Sequence, residues 1–204
     1  MAYKNFSLDD LREKFGVDNR QVPILEHTTP LQPTPQLQTA LAKARKLPIR
    51  SEKAKSEWIV VPILMELRDR NDNFFTIYSG DHLNVDENMG LKGECDFILA
   101  KDIGTYDINY PIIQLVEAKK NDLEIGVPQC AAQMVGASIY NHKKGVELEK
   151  IYGCVTTGND WLFMVLENNC VKISTDLYYL NDVAGILGVF QYIIDYYRKV
   201  LVNN

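Results

Sequence analysis

The sequence predicts an α/β fold, with a mixed central sheet flanked by helices, an N-terminal helical extension and a long C-terminal helix. Three observations lead there. Capping residues and 3.6-residue apolar spacing mark helices near the start, in the first third and at the end. Segments rich in β-branched and aromatic residues lie between them. The order runs helix, strands, helix, strands, helix, with no internal repeat and no low-complexity segment.

The elements follow in sequence. Ser7, with Asp10 three residues on, forms a capping box, and Gly16 ends the helix it opens. Pro23, Pro30 and Pro33 make residues 21–34 an extended connector. Thr34-Pro35 then starts a helix running to about Lys46. Ser51 caps the next, whose apolar stripe is read as Ala54, Trp58, Val61 and Met65, widened by Ile59 and Ile63. Pro62 inside it predicts a kink or a lost hydrogen bond.

The period then changes. Residues 74–78 are β-rich, and 81–93 read as a weak strand and turns. Glu94–Ala100 and Pro111–Ala118 are strands on either side of a turn-like stretch. Gly126–Tyr140 is a helix opened by Pro128, 151–157, 161–166 and 171–174 are short strands, and 181–202 is a long amphipathic helix. In that last helix Ile193, Ile194, Tyr196, Tyr197 and Val200 serve either to pack on the core or to make a homodimer, with packing the preferred use. Residues 1–50 divide off as a helical extension and connector, and 51–204 as the main domain.

Composition narrows the function classes. A chain of 204 residues with 46% hydrophobic and 24% charged residues buries an ordinary core. No apolar run reaches the roughly 18 residues that span a bilayer, and the N-terminus is too polar for a secretory signal, so a cytoplasmic location without membrane contact is the default. Cys95, Cys130, Cys154 and Cys170 form no CxxC pair and read as small buried hydrophobes. His27, His82 and His142 lie far apart and read as solvated loop residues. A net charge of −5 argues against a dedicated DNA-binding module, but less so against an enzyme whose carboxylates hold a cation. One local exception is basic: Lys43, Arg45, Lys46, Arg50, Lys53 and Lys55 face a single acid, Glu52, over residues 41–56.

The chemistry concentrates in GECDFILA and QLVEAKKND. Strand alternation puts Glu117 and Lys119 on one face and points Ala118 away. Asp96 on the neighbouring strand adds a second carboxylate, and the Ala118 carbonyl a further oxygen, a donor set suited to a hard divalent cation. The lysine is suited to orienting a water or steadying developing phosphate charge.

An acid within an apolar strand, an adjacent strand ending in E-x-K and a glutamine on the following helix together resemble the PD-(D/E)XK, or restriction-endonuclease-like, nuclease superfamily. The resemblance covers roughly residues 51–140. It implies a restriction-endonuclease-like sheet, a Mg2+-dependent (Mn2+ also suiting) hydrolysis of phosphodiester bonds and a nucleic-acid partner, DNA in the first instance. By position it makes Asp96 and Glu117 metal ligands together with the Ala118 carbonyl, and Lys119 the catalytic lysine. Gln129 is the helix glutamine, with Gln133 its competitor. The segment SEKAKSEWIVVPIL is similar to the nuclease region of type I restriction subunits, which favours Glu52 as a further acid. Glu57 and Glu66 are the alternatives, and at 100° per residue Glu66 shares the Glu52 face while Glu57 does not. Cys95 stands where the superfamily has proline, and residues 101–110 are an insert read as a hairpin extension. Two other readings remain: a non-catalytic member of the same fold acting as a binding subunit, and an unrelated α/β interaction protein.

Overall fold

The structure, a computed structural model, describes residues 2–25 and 28–202, without the side chain of Val202, so His27 lies outside the described residues. A seven-stranded mixed sheet in the order β1-β7-β6-β5-β4-β3-β2 forms the middle layer. Its strands are β1 (Asp18–Gln21), β2 (Phe75–His82), β3 (Glu94–Lys101), β4 (Ile112–Ala118), β5 (Lys150–Thr156), β6 (Asp160–Glu167) and β7 (Cys170–Tyr179). The β4–β5 and β1–β7 pairs are parallel and the others antiparallel. The parallel β4–β5 step is bridged by α5 (Leu123–Lys143), the helical crossover that parallel pairing requires.

Both faces of the sheet are covered. One carries α2 (Pro35–Ala44), the helix running from α3 (Glu52–Lys55) to α4 (Val61–Arg70), and α6 (Val183–Val202). The other carries a 3-10 turn at Tyr3–Asn5, α1 (Leu8–Phe15) and α5. Residues 2–25 and 28–50 therefore contribute to both layers and supply one edge strand.

Local signals set the helix ends. The Ser7–Asp10 capping box is formed and Gly16 sits in the left-handed conformation at φ 65°. The hydroxyl of Thr34 accepts from Leu37 N at 3.3 Å and that of Ser51 from Ala54 N at 3.1 Å. Pro62 lies inside a continuous helical run and cannot donate a backbone hydrogen bond there; Ser56–Val60 winds as a π turn immediately before it, and α4 begins at Val61.

Several expectations are corrected. The core face of α3–α4 is Ile59, Val60, Ile63, Leu64 and Leu67, while Trp58 and Met65 are 49% and 42% exposed. Of the expected stripe, Trp58 and Met65 point outward, while Ala54 and Val61 are half-buried and Val61 packs against the core, and periodicity alone does not separate these faces. Strand β1 (DNRQ) has no apolar alternation; its pairing with β7 makes it a strand. Helix α5 begins at Leu123, where Asp122 accepts from Glu124 N at 2.8 Å, so Pro128 lies inside it. Beyond Lys101 the insert is an irregular loop rather than an extended hairpin. Strand β2 reaches His82, and His142 lies on α5; both are exposed, though neither is in a loop.

Other expectations are met. Ile193, Ile194 and Tyr197 of α6 are buried in the core, and Tyr197 Oη donates to Lys150 O at 2.7 Å. Cys95, Cys130 and Cys154 are free and buried, and Cys170 is half-buried. Among the described residues, no helix is long and apolar enough to cross a membrane.

Candidate active site

The site is built at the edge where β3 enters the sheet and β4 leaves it. The register Phe97↔Val116 and Ile98↔Leu115 brings Asp96, one step on, beside Glu117. Both point to the α5 layer, in phase with Ile98 and Leu115. Glu117 is 1% exposed and Asp96 half-buried. The Asp96 carboxylate accepts the Ala118 N–H at 2.7 Å, which locks the two strand ends together.

Lys119 lies just past the strand and turns back on it. Its Nζ donates to Glu117 Oε1 at 2.5 Å and to Gln129 Oε1 at 3.1 Å. Gln133, one turn further along α5, donates from Nε2 to Glu117 Oε2 at 2.8 Å. Both candidate glutamines therefore join the site, one on the lysine and one on the carboxylate. Helix and strand come this close because of Gly126: a Cβ there would lie 2.4 Å from Val155 Cγ1 and 3.0 Å from Lys119 Cγ. An isolated glycine near a helix start was the only sequence signal for it.

The three glutamates of the first core helix separate. Glu52 is brought in: its Oε1 accepts the Lys120 N–H at 3.0 Å, and Lys55 Nζ donates to Lys120 O, so α3 grips the exit of β4 from both sides. Glu57 lines a cavity of about 370 Å3 that also holds Asp96. Glu66 is elsewhere, tied to Thr34 and Arg70. Sharing a face does not bring Glu66 to the site, because fourteen residues of helix carry it roughly 20 Å along the axis from Glu52.

Asp96, Glu117, Lys119 and Gln129 open on a pocket of about 480 Å3 that is also lined by Glu52, Tyr3, Lys4 and His82. Tyr3, Lys4 and His82, with Glu94, escaped sequence reasoning because they reach the site only through tertiary packing. A larger cavity of about 660 Å3 lies between β7 and the start of α5 and contains none of the carboxylate pair. Among the described residues, no three His, Cys, Asp or Glu side chains gather tightly enough to form a metal cluster. The convergent set is two carboxylates with Glu52 at the rim.

Electrostatics marks this pair out. Burial, and then the neighbouring Asp96 charge, push Glu117 up to about 7. Asp96 is raised too, by burial, against the opposing pull of the Ala118 N–H and Lys119. Two carboxyls in one desolvated place titrate as a pair, because ionising both is costly without a cation. Burial works to lower the Lys119 ammonium, but Glu117, Asp96 and Glu52 together hold it above its ordinary value. At neutral pH Lys119 is thus a proton donor and a positive charge.

No protein-family model matches this chain, and no curated protein matches it in sequence.

Proposed function

We propose that this chain is a metal-dependent nuclease hydrolysing phosphodiester bonds in DNA, with Asp96, Glu117 and Lys119 as its reacting centre on a restriction-endonuclease-like sheet. One observation carries the reading. Two carboxylates from adjacent strands are forced side by side at a pocket floor, with a charged lysine on one of them.

The donor set fits a hard divalent cation such as Mg2+ or Mn2+. The carboxylates of Asp96 and Glu117 and the carbonyl of Ala118 would hold it. Each Glu117 oxygen already accepts one hydrogen bond and keeps further acceptor capacity. A bound cation supplies Lewis-acid polarisation of a phosphoryl oxygen and neutralises charge. The chain's own residues do the rest. Lys119 donates to the phosphate or to the attacking water and steadies the negative charge that develops. Gln129 aims the lysine and Gln133 aims Glu117. Glu52 fixes the Lys119-Lys120 backbone through its hold on Lys120 N. Lys53 lines the neighbouring cavity that holds Asp96 and would contribute a phosphate contact there, with the other basic residues from Lys43 to Lys55 preceding it in the chain.

One observation favours a second reading, a non-catalytic nucleic-acid-binding or interaction subunit. Both Glu117 oxygens are engaged by protein donors, so a cation has to compete with Lys119 and Gln133 for this carboxylate.

Incubating the protein with linear, circular and single-stranded DNA plus magnesium or manganese tests both. Cleavage by the wild type that Asp96→Ala and Lys119→Ala abolish is the expected result. No cleavage, together with no metal heat in calorimetry, removes the enzyme reading and leaves the binding subunit.

A further inference from the structure

A small cavity of about 200 Å3 lies where α2, α3 and the turn from β5 to β6 meet. Arg45, Lys55 and Asn159 line it, between apolar walls that include Ile49 and Ile59. Its charge is one-sided, with two cations and no acid. The two cavities that contain Asp96 are each lined by four acids.

We propose that this cavity is a binding pocket for a single phosphate group. On the nuclease reading above, which the inference deepens, the source of that phosphate is the backbone of the strand bound at Asp96 and Glu117.

The donors have capacity to spare. Arg45 is exposed at the C-terminal end of α2, and its guanidinium has no hydrogen-bond or salt-bridge partner among the described residues. Its planar fork of N–H groups matches phosphate oxygens. Lys55 is half-buried and donates to Lys120 O, which uses one of its three donors and leaves two. Two like charges sharing a small cavity repel one another, and apolar walls weaken the screening between them. An anion between them relieves both effects. The volume is below the roughly 300 Å3 at which pockets for whole small molecules begin, so the space suits one group and not an entire nucleotide.

Position ties the pocket to the reacting centre. Lys55 holds the carbonyl of Lys120, the residue after Lys119, while Glu52, one turn earlier on α3, holds the N–H of the same residue and lines the carboxylate pocket. The short helix α3 thus borders the basic cavity through Lys55 and the acidic one through Glu52. Helix and turn come close because residue 158 is glycine. Its φ is 82°, and a Cβ there would lie 3.2 Å from Ile59 Cδ1 and 3.4 Å from Lys55 Cβ.

The test compares Arg45→Ala with Lys43→Ala and Lys46→Ala, which remove exposed charges from the same segment but line no part of the cavity. In the first arm, the full chain in EDTA binds a labelled 20-base-pair duplex over a range of salt concentrations. Arg45→Ala is expected to weaken binding about five- to ten-fold at 0.1 M salt and to make the salt slope shallower by about one unit. Lys43→Ala and Lys46→Ala are expected to have smaller effects, and Arg45→Lys to recover part of the loss. In the second arm, inorganic phosphate is titrated against the melting temperature, with acetate at equal ionic strength as control. General salt effects move all variants alike, so only a phosphate shift lost in Arg45→Ala reports the pocket. An Arg45-dependent shift with DNA binding unchanged supports the pocket and assigns it to free phosphate. If Arg45→Ala behaves as Lys46→Ala in both arms, or if acetate acts as phosphate does, the proposal is overturned. Melting curves confirm that each variant folds. Because metal is absent, the outcome is independent of turnover. Arg45-dependent binding without cleavage in magnesium leaves the pocket standing and removes the nuclease, whereas cleavage with no Arg45 dependence in either arm does the reverse.

Discussion

Glu66 and Glu117 are both buried carboxylates, 8% and 1% exposed, held in opposite ways. Glu66 accepts from Thr34 N at 3.0 Å, Thr34 Oγ1 at 2.5 Å and Arg70 Nε at 2.6 Å. Burial works to raise its pKa, but the Thr34 and Arg70 hydrogen bonds outweigh it, and the carboxyl is held below its ordinary value. Glu117 has Lys119 and Gln133 as donors, yet Asp96 beside it presents a second carboxylate, and its pKa rises to about 7. The first carboxylate fastens α4 to the start of α2. The second sits in a pocket in a state that its own protein leaves unfavourable, as sites that bind cations or move protons commonly do. A buried acid is structural when its donors match its charge, and a candidate for chemistry when they fall short.

Four experiments break or sharpen this contrast, from the largest effect down. Glu117→Gln should lower DNA cleavage by about 10²-fold or more, since it removes one carboxylate of a two-carboxylate site, and initial rates on plasmid DNA in magnesium would measure it. Glu66→Ala, by contrast, should leave the activity of folded protein intact but destabilise it by about 1–3 kcal/mol, because the Thr34 N–H and hydroxyl and Arg70 then lose their acceptor; urea unfolding reads that loss, and an unchanged midpoint would remove the structural assignment.

The pH dependence distinguishes the two carboxyls by sign. Glu117 has a raised pKa, so its contribution to stability is fully present below its ordinary value of 4.5 and is lost as pH rises through about 7. Metal-free wild-type protein should therefore melt at a lower temperature at pH 8 than at pH 6. Glu117→Gln should flatten that slope and gain on the order of 2 kcal/mol at pH 8. Magnesium should restore stability at pH 8 and not at pH 5, an effect absent in Asp96→Ala. Glu66 has a lowered pKa, so its contribution is present above the ordinary carboxylate range and is lost only as pH falls below it. The smallest effect is expected at Gln133→Ala, which deprives Glu117 Oε2 of its donor. It should cost about 1 kcal/mol and move the stability slope to higher pH, as melting curves across pH 5–9 would show.

Much of the fold was legible. The Ser7–Asp10 box, Thr34-Pro35 and Ser51 placed helix starts, because a cap is a bond to a backbone N–H two or three residues on. The segments Glu94–Ala100 and Pro111–Ala118 matched β3 and β4 to within a residue or so, since their apolar runs bury both faces. The pairing of Glu117 with Lys119 was equally legible, as alternation along one strand is a local rule. The polar strand β1 was not, and neither was the choice between the two apolar faces of α3–α4.

The sequence by itself determined most of the helices and strands, β1 excepted, and that Glu117 and Lys119 share a face, because those facts depend on neighbours a few bonds apart. Only the tertiary structure decided that Asp96 stands beside Glu117, that both glutamines join them, that Glu52 reaches Lys120 while Glu66 turns to Thr34, and that Trp58 faces water. Each of those depends on strand register, on how a long helix is laid across the sheet or on the approach of a helix to a sheet, and such distances are set by packing between elements far apart in the chain.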